Sequence, residues 1–99
     1  MVAEMISILA KVSVENLEKF VGVFSTRGAD LRKQDGSLSP EVIKSVEAEN
    51  TVWILFQWMS QENFEQFLND PLVQETMKSS GTIGQPEFIF LNQIGLFSA

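Results

Sequence analysis

Ile6, Ile8, Ala10, Val12 and Val14 alternate with Ser7, Leu9, Lys11 and Ser13, the two-residue period of a strand with one buried face. The period then changes. Leu17, Phe20, Val21, Phe24 and Leu31 recur at helical spacing and predict a first helix from about Glu15 to Lys33. Glu15 and Glu18 fall in its first turn and Arg32 and Lys33 in its last, which complements the helix dipole, and Gly36 is a natural stop. Gly28 lies inside this stretch, where glycine costs about 1 kcal/mol relative to alanine. It marks either a close packing contact or an earlier end to the helix.

Pro40 opens a second predicted strand, roughly Glu41 to Val46, with Val42 and Val46 opposite Ile43. The polar run Glu47-Ala48-Glu49-Asn50 turns the chain into a third strand, Thr51 to Trp58. Ser60 is placed to cap a second helix, with Glu62 in its first turn and Phe64, Phe67 and Leu68 as its apolar stripe. Asp70-Pro71 restarts that helix at a new angle, and Leu72, Val73 and Met77 carry its buried face on to Ser79, Ser80 and Gly81. Pro86 leads into a last strand from Glu87 to about Gln93.

The resulting order, βαββαβ, is the ferredoxin-like arrangement. It predicts one α+β domain over residues 1–99, a four-stranded antiparallel sheet in the order 4-1-3-2 with the helices on one face. The third strand is apolar on both faces: Val52, Ile54, Phe56 and Trp58 point one way, Trp53 and Leu55 the other. One helical layer covers only one of them. Leu9, Trp53, Leu55, Ile89 and Leu91 are therefore expected on an open face that a second copy of the chain would cover. Two such faces about a two-fold axis make a dimeric α+β barrel.

Composition narrows the function classes. The 99 residues hold seven Lys and Arg against 13 Asp and Glu, a net charge of −6. The one local basic group, Arg27, Arg32 and Lys33, is a poor phosphate track, so nucleic acid is not an expected partner. There is no cysteine and hence no disulfide framework. The apolar runs are short and interrupted, which argues against a signal peptide or membrane span and leaves a cytoplasmic location as the expectation.

Trp58-Met59-Ser60-Gln61-Glu62, followed by Phe67-Leu68-Asn69-Asp70-Pro71-Leu72-Val73, resembles the segment after the third strand in the antibiotic biosynthesis monooxygenase family. The ending Gly81 to Leu91 is similar to small bacterial proteins labelled cyclase or monooxygenase-like. The resemblance implies a dimeric α+β barrel with a pocket between sheet and helices. It also implies, as one possible activity, cofactor-independent oxygenation or cyclisation of a phenolic or polyketide-like substrate. Haem-degrading members carry an asparagine on the first strand, a tryptophan late on the third and a histidine on the second helix. Trp58 matches the tryptophan, but Ala10 and Lys11 stand near the asparagine's place and Phe67 and Leu68 near the histidine's. The chain has no histidine at all, so a histidine-ligated haem is not possible.

The absence of His, Cys and Tyr leaves carboxylates, lysines and water as the acid–base repertoire. Asp30, Asp35, Glu47 and Glu49 lack metal-ligand spacing, so neither a metal nor a cofactor is expected. Gly81 and Gly84 precede a strand and read as turn residues rather than a phosphate loop. Trp58 either stacks on a flat aromatic substrate or simply fills the core. Arg27 either holds a carboxylate or phenolate at the pocket mouth, a role shared with Lys11, or lays its stem along the core edge with its head in water. Phe24, Phe64 and Phe67 either line the same pocket or close the core. Three functions stay open: a binder of a small hydrophobic or aromatic molecule, a cofactor-independent monooxygenase or cyclase, and a filled domain acting through its dimer surface.

Overall fold

The structure, a computed structural model, describes residues 5–34, 37–95 and 97–98, and side chains at all of these except 34 and 37–39. The elements run β1 (Ile6–Val14), α1 (Leu17–Phe24), α2 (Arg27–Gln34), β2 (Ser37–Lys44), β3 (Thr51–Trp58), α3 (Gln61–Asn69), α4 (Pro71–Ser79) and β4 (Thr82–Leu91). The four strands form one antiparallel sheet in the order β2-β3-β1-β4, which is the expected 4-1-3-2 read from the other edge. The fold is the ferredoxin-like α+β arrangement.

Register follows from the apolar alternation. Ile8 faces Phe56, Ala10 faces Ile54 and Val12 faces Val52 across β1 and β3, and all six are buried beneath the helices. A one-residue slip would turn this set toward the other face of the sheet, so burial holds the register. Phe20, Phe64, Phe67 and Val73 complete the core from the helical side.

Local chemistry accounts for the helix boundaries. Asn16, not Glu15, starts α1: its Oδ1 accepts from the Lys19 amide at 2.9 Å. The single long helix expected over 15–33 is two helices. Ser25 and Thr26 hydroxyls bond back to the Gly22 carbonyl at 3.3 and 2.7 Å, giving the backbone an alternative to a continuous helix. Gly36, the expected stop, lies outside the described residues. Ser60 caps α3 through the Asn63 amide at 3.1 Å, and Asp70 caps α4 through the Leu72 amide at 2.9 Å with Pro71 at the first helical position, as expected. Leu72 is exposed and does not join the buried face that Val73 and Met77 form.

Both edge strands begin earlier than expected. β2 passes through Pro40 and ends at Lys44, leaving Val46 in the connection and exposed; β4 starts at Thr82 and passes through Pro86. Each strand shifts register beside its proline, β2 between Leu38 and Glu41 and β4 where it meets Lys11 and Ser13. A proline cannot donate to a ladder, and an edge strand with a bulge is where it fits. Gly81, φ 80°, is the turn residue expected before β4, whereas Gly84, φ 67°, lies inside β4 at the register shift rather than in a turn.

Candidate functional site

The helices do not close completely on the sheet. A cavity of about 80 Å³ lies between them, bounded below by Ala10, Val12, Ile54 and Phe56, and above by Phe20, Phe24, Leu31, Phe64, Phe67 and Val73. Its walls are overwhelmingly apolar. Among the described residues Arg32 is the only ionisable one lining the cavity, and Thr76, Ser80 and Thr82 supply the hydroxyls. A second, wider and more polar cavity of about 410 Å³ shares Leu68, Met77, Thr82, Pro86 and Phe88 with the first. These five residues are a common wall between an apolar chamber and an outer groove.

Arg32 is set into the chamber by its neighbours. Only 6% of the residue is exposed. Nη2 donates to the Phe24 carbonyl at 2.9 Å, and Cζ sits 3.6 Å from the centre of the Phe24 ring. Gly28, one turn earlier on α2, makes room for it: a Cβ there would lie 2.9 Å from Arg32 Nη1 and 3.3 Å from the Val23 carbonyl oxygen. The close-contact reading of Gly28 is therefore the one the structure adopts. Burial lowers the Arg32 pKa to about 10, which still leaves the guanidinium charged at neutral pH. Among the described residues no carboxylate pairs with it, and the ion pair present is Lys19–Glu15 on the surface, at 3.9 Å.

Of the residues singled out in the sequence, Phe24, Phe64 and Phe67 are brought together in the chamber wall. Trp58 is not. It is fully buried behind that wall, with ring centroids 4.8 Å from Phe67, 5.2 Å from Phe64 and 5.5 Å from Phe56. Its Nε1 donates no hydrogen bond among the described residues. Arg27 is exposed at the start of α2 and Lys11 is exposed on the opposite face of the sheet, 5.5 Å over the Trp53 ring; neither lines the chamber. That opposite face carries Leu9, Trp53 and Leu55, each half-buried, with Ile89 and Leu91 49% and 40% exposed. Among the described residues no group of acidic side chains could hold a metal ion, and no helix is long and apolar enough to cross a membrane.

Residues 2–79 match the family model for antibiotic biosynthesis monooxygenases. The chain belongs to that family. Among solved structures, this family member is similar to SnoaB, a cofactor-independent oxygenase from Streptomyces nogalater. The TM-score is 0.76 at 14% identity, covering 98% of this chain and 100% of that one. A candidate antibiotic biosynthesis monooxygenase from Caulobacter crescentus CB15 gives 0.74 at 17% identity, covering 95% and 93%. A conserved protein from Methanosarcina mazei Go1 gives 0.69 at 17% identity, covering 92% and 94%. At these identities the likeness is one of fold. Curated protein sequences include no significant match.

Within this monooxygenase-family chain, the wall residue that sequence reasoning missed is Arg32. A cation in the last turn of a helix reads as a dipole partner. The contrary signal was Gly28 four residues earlier: within α2 that spacing puts the two on one face, where the glycine leaves room for the arginine.

Proposed function

We propose that this chain binds a small, flat, largely apolar molecule in the chamber between sheet and helices. The observation that carries the reading is the chamber itself, walled by aromatic and aliphatic side chains in a protein with ample residues to fill it. Its size sets a condition. A cavity of about 150 Å³ admits benzene, and this one is about 80 Å³. An aromatic ligand therefore enters by displacing part of the wall shared with the outer groove, and Leu68 and Met77 are its flexible members. Titration with one- and two-ring aromatics tests this. Saturable binding, blocked by filling the chamber with Ala10→Leu in a variant that still melts cooperatively, supports it; absence of saturable binding across the panel contradicts it.

Family membership and the resemblance to a cofactor-independent oxygenase favour a second reading, in which the bound molecule is oxidised by dioxygen. In the balanced form, a ring CH2 becomes C=O and the other oxygen atom leaves as water, the substrate supplying all four electrons. Without His, Cys or Tyr the protein contributes position and electrostatics, and the substrate's own acidity supplies the anion that reacts. Oxygen uptake with phenols and hydroxynaphthalenes distinguishes catalysis from binding alone. The open sheet face is read as the contact with a second copy, since it offers contiguous apolar residues on three strands.

A further inference from the structure

Arg32 is an expensive residue to place where it is. A guanidinium has five N–H donors, and among the described residues the hydrogen bond it makes is from Nη2 to the Phe24 carbonyl. The chain has 13 carboxylates to seven cationic side chains, yet among the described residues none is set against this one. The Phe24 ring, 3.6 Å from Cζ, backs the guanidinium, and the missing side chain at Gly28 gives it space. The result is an oriented, desolvated cation in the wall of an apolar chamber.

We propose that Arg32 is an anion receptor, and that the chamber takes an aromatic ring bearing an ionised oxygen, a carboxylate or phenolate. This rests on the apolar-chamber reading and narrows it to a charged class of ligand. The physical reason is that a charge-assisted hydrogen bond gains strength where water is excluded, and a planar fork matches an ionised oxygen pair in both charge and shape. The net charge of −6 would repel an anion at long range, so selection for one has to be made locally, inside the chamber. The competing role is purely structural: Arg32 as a cap on the last carbonyls of α1. That role predicts loss of stability on substitution and no effect on ligand charge preference.

The two roles separate in one calorimetric experiment on the full chain, with 2-naphthoate and its neutral isostere 2-naphthamide as probes. The proposal expects naphthoate to bind at least about tenfold more tightly than the amide, the order of one charge-assisted contact. Arg32→Met should remove this preference while leaving amide binding within about twofold, and Arg32→Lys should keep part of it. Amide binding by the Met variant shows that it has folded; if it does not fold, the naphthoate-to-amide ratio in Arg32→Lys and Arg32→Gln gives the same comparison. Equal affinity for the two probes in the unsubstituted protein overturns the proposal while leaving the chamber reading intact. So does a preference that persists without the guanidinium. Failure of both probes to bind overturns both.

Discussion

The Arg32 guanidinium is held twice by one residue, 2.9 Å from the Phe24 carbonyl oxygen and 3.6 Å from the centre of the Phe24 ring. Phe24 is the last residue of α1 and Arg32 lies in α2, so the break at Ser25 and Thr26 brings them together. A single unbroken helix would carry the two along one axis, two turns apart. The pair exists because the helix is interrupted.

This arrangement predicts an unusual stability profile for Arg32→Met. The lowering of the Arg32 pKa to about 10 corresponds to a desolvation cost on the order of 3 kcal/mol at neutral pH. Loss of the hydrogen bond and of the ring contact offsets most of it, at about 1–3 and about 1–2 kcal/mol. Neutral-pH stability should therefore stay within about 1 kcal/mol, well short of the 3–5 kcal/mol typical of a broken buried ion pair. Above pH 10 the folded chain releases the Arg32 proton while the unfolded chain keeps it. The unsubstituted protein should therefore gain stability relative to the Met variant as pH rises toward 11. Urea titrations of the pair at pH 8 and 11 check the sign; a difference unchanged between the two would contradict it.

Gly22 and Gly28 form a matched test of the chamber's geometry. A Cβ at Gly22 meets nothing within 4 Å, so Gly22→Ala should stabilise by up to about 1 kcal/mol through helix propensity. At Gly28 the same substitution collides with Arg32 Nη1 and should cancel that gain or reverse it by about 1 kcal/mol, while weakening naphthoate binding. Denaturant midpoints for the two variants decide this.

Much of the architecture was legible because it is written in short-range chemistry. β3 showed its ends and both its faces, and Ser60 and Asp70-Pro71 announced α3 and α4 through capping geometry that depends only on neighbours. The edge strands were not legible. Pro40 and Pro86 look like strand boundaries, and only the neighbouring strand reveals that a bulge accommodates each of them. The chamber was half legible: Phe24, Phe64 and Phe67 follow from helical spacing, whereas Arg32 needed the α1–α2 break to turn it inward.

Arg27 and Trp58 supply controls. Arg27→Ala should leave ligand affinity within about twofold, since the side chain is exposed and outside the chamber wall. Trp58→Phe removes bulk that packs on Phe56, Phe64 and Phe67 but also a buried N–H with no partner among the described residues, so its stability cost should fall below the 3–5 kcal/mol of a large aromatic truncation. Thermal melts and calorimetric titrations of both variants check these outcomes.

The open face yields a separate expectation. Trp53→Asp should convert a dimer to a monomer in sedimentation at micromolar concentration, because it places a charge between Lys11 and Ile43 at the middle of the apolar patch. An unsubstituted chain that already sediments as a monomer would contradict the interface.

A structure of the protein with 2-naphthoate tests the account most directly. The ring is expected between Phe24 and Phe64, with a carboxylate oxygen about 2.8 Å from an Arg32 nitrogen. A naphthoate seated on the open sheet face, or in the chamber with its carboxylate turned away from Arg32, would contradict it.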